Sequence, residues 1–534
     1  MKKTFFFIFI CAISLQFSNI AYSQNFRNKV LLDSAGNVYV TGQTRCAQDS
    51  DIAIIRYSAS DGSLVWQKKI GIAGTTVFKG AVIKGNYIYI SAQNINAGNK
   101  KIAIIRSDLS GNTTYALFDR IGGDYGNAIT IDGSSNVYIA GRTDSPVGYP
   151  KYLALKYNQN LDSIWTYTYT GPLSNNFDEA LDVKVNLNGD VFITGYTSLS
   201  QSLNDSFDYL TLKLNSAGAL QWAKRYNGAA NKGDAATGLA LDSLSNVYVS
   251  GFSYGISGTG AYSDYFTIKY NSNGDSLASA TYNCGPYSFN RTTTVISDAL
   301  GNIYVTGFGQ CVGSNYYDFV TIKYNSALAP VWPSPAVFSS TSNNYPNAIC
   351  YSNGNVFVSG ETDSSNGDRK FITLKYNANT GAESWRWYLN TSDSNYSNSV
   401  IADASGNVYV AGYSVPDSMI IAKYTGWTSN YGFCPPFGIQ TISTLVPSRY
   451  MLYQNYPNPF NPSTLIKFDI LKKGNVSIKI YDVTGRKVEE IVNKEMAPGS
   501  YEEVWDGSSF VSGVYFYRLV TGTYTESKKM VILK

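Results

Sequence analysis

The sequence of 534 residues is only 15% charged, carries a net charge of +4, and contains 44 tyrosines but no histidine. The missing histidine excludes Ser-His-Asp and Cys-His catalysis and His-ligated zinc, and so small a charge on so long a chain argues against nucleic acid as a partner. Sparse charge with abundant tyrosine suits an exported, β-rich protein with polar but uncharged loops.

Lys2 and Lys3 precede an apolar run over residues 5–17, and Ala21-Tyr22-Ser23 places small residues ahead of Gln24. That order of charge, apolar stretch and small residues predicts a secretory signal over residues 1–23. The run is too short to cross a bilayer and no later stretch approaches about 18 apolar residues, so no membrane span is expected in the mature chain.

From residue 24 to 434 one motif recurs. Gly36-Asn37-Val38-Tyr39-Val40-Thr41-Gly42 returns at residues 135–141, 189–195, 245–251, 301–307, 354–360 and 406–412, with a weaker copy, Ile88-Tyr89-Ile90-Ser91-Ala92. β-Branched and aromatic residues alternate in it and both faces are apolar, which predicts a strand buried on both sides. Before it lies a short apolar strand ending in Asp and a turn. After it come a loop, a strand such as Asp318-Phe319-Val320-Thr321-Ile322-Lys323-Tyr324, a second turn, and a strand opening on Trp66, Trp165, Trp222, Trp332 or Trp385. Each unit is therefore predicted to be a four-stranded antiparallel meander. Eight units with a period near fifty residues predict an all-β fold, an eight-bladed β-propeller with a seven-bladed ring as the alternative. The N-x-Y-V-x-G motif, the D-x-F/Y…K strand and the late Trp resemble the bacterial SBBP repeat; that resemblance implies a propeller of seven blades and no activity.

Two features keep a fixed phase in the repeat. Arg56, Arg106, Lys156, Lys213, Lys269, Lys323, Lys375 and Lys423 form an eight-fold ring of cations. Either they pair within the repeat, with Asp51, Asp208, Asp264 and Asp318 five residues earlier and their stems packed along the blade, or they face an anionic glycan. The loop aromatics Tyr254, Tyr262, Tyr316 and Tyr317 could stack on sugars. Export leaves five cysteines. Cys46 and Cys311 lie four residues after the closing glycine of their units, whereas Cys284 and Cys434 follow the last strand of a unit. In a ring these sites meet across neighbouring units, so the predicted disulfides are Cys284–Cys311 and Cys46–Cys434, with Cys350 free.

Residues 435–446 read as a linker. Residues 447–534 break the period and offer about seven short strands, predicted to form a small immunoglobulin-like β-sandwich. Tyr456-Pro457-Asn458-Pro459-Phe460, then Gly485 and Arg486 in a turn, Gly513 and Tyr515 in a strand, and the terminal stretch with Lys529 and Lys534 closely resemble the C-terminal sorting domain of type IX secretion cargo. The resemblance implies export through the periplasm, recognition by the outer-membrane secretion machinery as partner, removal of the domain, and release or surface tethering.

Between residues 24 and 434 the only glutamates are Glu179, Glu361 and Glu383, which disfavours a Glu-pair glycosidase. The turn aspartates Asp33, Asp132, Asp242, Asp298 and Asp403 suit backbone capping better than catalysis. No cofactor or metal is implied. The expected function is a secreted or surface scaffold binding a glycan or another surface protein. A lyase-like enzyme using Tyr with Lys or Arg, or a purely structural component, are the alternatives.

Overall fold

The computed structural model describes residues 28–533 apart from residues 47–48, 59–61, 63, 146–147, 170, 172–176, 199–206, 256–261, 286–287, 312, 364–367, 390–393, 415–417, 426–427, 434–439, 444–446, 448, 461–462 and 508–509. The predicted signal segment lies outside the described residues. Every regular element among the described residues is a β-strand. Eight four-stranded antiparallel meanders follow one another in the repeat region, with first strands opening at Asn28, Thr75, Asp124, Asp178, Asp234, Arg291, Asn344 and Asn395. The fourth sheet shows the plan: Asp178–Val185, Val191–Ser198, Phe207–Leu214 and Leu220–Tyr226 pair in sequence order.

The motif strand is the second in each sheet, and its alternation sends one face to each neighbouring sheet. Tyr39 packs with Phe78, Ile88 and Ile90 of the second sheet. Val38 and Val40 pack instead with Tyr409, Ala411 and Ile421 of the eighth. The first and last sheets thus share a core, and the first strands of neighbouring sheets lie against one another on the inside. In sheets two to eight the first strand carries a β-bulge opposite the closing position of the motif. A bulge bends its strand and re-aims the side chain it leaves unpaired.

The bulge also explains the closing glycine. At Gly195, Gly251 and Gly307 a Cβ would collide with the first-strand carbonyl that the bulge brings close, and with Tyr152, Tyr209 or Tyr265 of the preceding sheet. Sheet two departs from the rule in a consistent way: the residue at the tyrosine phase in sheet one is the slimmer Ile52, and the closing residue is Ala92. The opposite ends of the sheets are tied by the turn aspartates. Asp132 Oδ1 accepts the N–H groups of Ser134 and Asn136, and its Oδ2 accepts Asn136 Nδ2 and Tyr138 Oη.

Sheet six corrects one expectation. Its last strand does not open on Trp332 but runs over Ala336–Phe338, because Pro333 and Pro335 have no N–H to give a ladder. Beyond the repeats, two four-stranded sheets enclose one core containing Phe468, Ile478, Trp505, Tyr517 and Met530. Gln440–Ser443, expected in the linker, instead adds a strand to one of them by pairing with Gly499–Asp506. No helix among the described residues is long and apolar enough to cross a membrane.

Candidate binding site

Five of the eight cations, Arg106, Lys156, Lys213, Lys269 and Lys323, reach from the turn end of their sheet into the next one. Lys156 Nζ and Trp165 Nε1 both donate to Ser216 O, at 3.1 and 3.2 Å. Lys213 Nζ and Trp222 Nε1 converge in the same way on Ser272 O, and Lys323 Nζ and Trp332 Nε1 on Ala378 O. Lys269 donates to Ser326 O and Arg106 to Gln159 O. Each cation also lies over the aromatic ring of its own motif strand: Arg56 over Tyr39, Lys375 over Phe357 and Lys423 over Tyr409 are further cases. Pairing within the repeat takes another form than the one expected: Lys213 meets Asp190 of its own turn at 2.9 Å, while Asp51 and Asp208, five residues before their cations, pair elsewhere. Asp51 meets Lys69 and Asp208 meets Arg225, both on the fourth strand. Five residues of extended strand span about 16 Å, so cation and aspartate stand at opposite ends of the sheet.

A different set of side chains gathers at the loop end of the sheets, on the inner strands. The residue after each closing position is variable (Gln43, Gln93, Arg142, Tyr196, Phe252, Phe308, Glu361 and Tyr413), while the rest of the motif is nearly constant. In sheets three and four, the Arg142 guanidinium lies 4.2 Å over Tyr125 and 5.4 Å from the Phe177 ring. It donates to Glu179 at 3.0 Å and meets Asp144 at 3.3 Å. Tyr196 Oη and Asn127 Nδ2 donate to the same Glu179 carboxylate, and Lys100 Nζ donates to Tyr125 Oη.

Sheets seven and eight repeat this chemistry. Arg369 lies between Tyr345 and Tyr396, 5.5 and 5.3 Å from their centroids, and meets Glu361 at 2.9 Å and Asp363 at 3.1 Å. Asn347, the bulge residue there as Asn127 is in sheet three, donates to Glu361. Tyr396 and Tyr413 stack at 4.6 Å. Aromatic contacts continue from Tyr345 through Phe308 and Tyr317. Arg291 lies over Phe252 and donates to Tyr254 Oη, and Tyr254 and Tyr262 flank Phe289. Tyr254, Tyr262 and Tyr317, singled out as loop aromatics, thus belong to one belt with residues that sequence reading missed. Tyr316 projects from the same loop, 41% exposed.

Burial pushes the Glu361 carboxyl up to about 7, against the opposing pull of Arg369. Burial also raises the Tyr196 hydroxyl well above its ordinary range, with Glu179 adding to the effect, and lifts Tyr345 to about 12. Around Arg142 burial disfavours the charge, but Glu179 and Asp144 outweigh it and the guanidinium is more firmly protonated than usual. Among the described residues no group of His, Cys, Asp or Glu is arranged to hold a metal.

Cys284 and Cys311 are joined as a disulfide between sheets five and six, with a Cα–Cα distance of 4.4 Å, and Cys350 is free. Cys46 ends a strand, but its side chain and Cys434 lie outside the described residues. In the C-terminal domain Phe460 packs on Trp505, and its N–H donates to Val531 O. Asn458 bonds the last strand through Val531 N and Lys529 O. Arg486 pairs with Asp482 across a turn whose Gly485 has φ +81°, and Tyr515 packs on Trp505. Tyr456 is 81% exposed. Gly513 opens the strand Gly513–Thr521, and Lys534 lies outside the described residues.

Residues 454–533 match the secretion system C-terminal sorting domain, and residues 120–146 match the β-propeller repeat. No curated protein matches the chain in sequence. Similar solved structures include Chaetomium thermophilum Sqt1 bound to the N-terminus of ribosomal protein L10 (7% identity, 73% of this chain and 95% of that one, TM-score 0.44). They also include the β-propeller domain of the Trilobed protease from Pyrococcus furiosus (8%, 67% and 96%, 0.40) and polysaccharide lyase Uly1 (10%, 85% and 92%, 0.35). At these values no ligand or activity is carried across. The chain thus carries a β-propeller repeat and, over residues 454–533, a secretion system C-terminal sorting domain, which marks it for export by type IX secretion to the cell surface or the medium.

Proposed function

We propose that the eight meanders form a single eight-bladed propeller, that the C-terminal domain is an immunoglobulin-like sandwich serving its delivery, and that the propeller binds an extracellular or surface glycan at the loop end around its axis. One observation carries the binding reading. Arginines and partly exposed aromatic rings form a belt on the inner strands, at a position that varies from unit to unit while the rest of the motif strand is nearly constant. Stacking rings beside polar groups is the common chemistry of sugar recognition.

Turnover is less well supported than binding. Tyrosine as a lyase base needs a lowered pKa, whereas burial raises Tyr196, Tyr345 and Tyr396, which leaves these hydroxyls as donors at neutral pH. A glycan array probed with the purified exported protein tests the binding reading. Retention on at least one glycan, without release of products, is the expected result; retention on none would remove it.

A further inference from the structure

We infer that the belt is built for a neutral oligosaccharide, held by the C–H faces of its pyranose rings and by hydroxyls donated to carboxylates, and not for an acidic one. The inference rests on the glycan-binding reading above. It follows from where the charges in the belt are already committed.

Arg142 and Arg369 are the groups an acidic sugar would seek, since a guanidinium fork matches a carboxylate or sulfate. Both forks are engaged by the protein itself: Arg142 by Glu179 and Asp144, Arg369 by Glu361 and Asp363. Tyrosine rings stand 4.2 to 5.5 Å from the two guanidinium carbons, so an acidic sugar would have to displace carboxylates already paired with both arginines. Arg291 is 6% exposed and gives its NH2 to Tyr254 Oη, which keeps its charge beneath the surface. Counting Lys100, the cluster of sheets three and four balances two cations with two carboxylates. The cluster of sheets seven and eight sets one cation against Glu361 and Asp363. A uronate or sulfate entering there would meet like charge at the rim, where the Asp144 and Asp363 side chains each keep 25% of their surface exposed.

The eight-fold cation ring does not alter this balance. Lys156, Lys213, Lys269 and Lys323 close hydrogen bonds to carbonyls of the next sheet at the turn end, away from the belt. What the belt presents outward is aromatic surface, including the stacked Tyr396–Tyr413 pair, together with the rim carboxylates of Asp144 and Asp363. Neutral sugars supply the matching groups: C–H faces for the rings and hydroxyl donors for the carboxylates.

The test is affinity electrophoresis of the full exported chain through gels containing arabinoxylan, glucomannan or mixed-linkage β-glucan, set against gels containing polygalacturonate or chondroitin sulfate. Expected is retardation by at least one neutral polymer, unchanged by added salt, with Tyr396→Ala weakening it about tenfold. Asp363→Asn, a nearly isosteric change at the rim, guards against a folding artefact and is expected to weaken the same interaction severalfold at unchanged melting temperature. Retardation by the acidic polymers alone, abolished by salt, would overturn the neutral-ligand inference while leaving glycan binding standing. No retardation by any polymer would remove both. Neutral binding untouched in both folded variants would place the site elsewhere and overturn the assignment to this belt.

Discussion

Met419 of the eighth sheet rests against Gly42 of the first, its sulfur 2.9 Å from where a Cβ on that glycine would stand. Phe371 stands in the same relation to Gly412, Phe319 to Gly360 and Tyr209 to Gly251. The joint between the last sheet and the first is therefore made like the internal ones, although 377 residues separate its two halves in the chain (419 less 42). Gly251→Ala is expected to lower stability by about 1–3 kcal/mol, as overpacking of a closed core does, because the new methyl would meet Tyr209 Oη at 2.5 Å. Gly71→Ala, with open space around it, should be close to neutral. Thermal melts of the two variants give the comparison.

A second joint lies at the turn end. Trp165 packs on Gly218 of the next sheet, Trp222 on Gly274 and Trp332 on Gly381. Where the tryptophan position holds Thr114 or Ala278 instead, the next sheet has Leu161 or Leu328 at the glycine position, with φ of 68° and 61°. Leu328 joins the core that Ala278 leaves open, and Leu161 fills the corresponding space beside Tyr89. Trp165→Ala should cost about 1–3 kcal/mol, less than for a fully buried aromatic because Trp165 is only partly buried. Adding Gly218→Leu should recover part of that loss, and chemical denaturation of the single and double variants measures the coupling.

Glu361 makes stability pH-dependent in the unusual direction for a carboxyl. Its folded value of about 7 lies above the unfolded value, so the folded state binds the proton more tightly. Its contribution is fully present below the unfolded pKa near 4.5 and is lost as pH rises through about 7. Glu361→Gln is expected to flatten the fall in denaturation midpoint across that window. An unchanged slope would assign the pH dependence to other groups.

The Cys284–Cys311 disulfide closes a loop with a sequence separation of 27, for which chain-entropy reasoning gives about 3.5 kcal/mol. Cys284→Ser should lower the denaturation midpoint accordingly, and reducing agent should do the same to the parent protein. Burial pushes the Cys350 thiol up to about 12, so this residue should resist alkylation until the protein unfolds, as mass mapping would show.

Removing residues 454–534 deletes the sorting domain matched over 454–533. In a type IX-competent host the truncated protein is expected to accumulate in the periplasm, read by fractionation and immunoblotting. Its appearance at the surface would contradict the delivery route.

Much of this fold can be read locally. The motif strand, its Asp–Asn turn and its buried tyrosine lie within seven residues of one another, so alternation and turn chemistry reveal them directly. The cation ring was equally visible, but its partners were not: Ser216 lies 60 residues from Lys156, and only the stacking of sheets brings them together. The aromatic belt escaped for the opposite reason. Arg142, Tyr196, Phe252 and Glu361 differ from unit to unit, and a search for what repeats passes over what varies.

The tryptophan–glycine joint also sets a grammar for how such an array could have grown. The fourth unit receives with Gly218 and offers Trp222, so a duplicate of it could be spliced in beside itself with matching ends. The third unit receives with Leu161 but offers Trp165; two copies in tandem would set a tryptophan against a leucine. Units of this protein are therefore not interchangeable parts, and their order along the gene is constrained by the shapes of their edges.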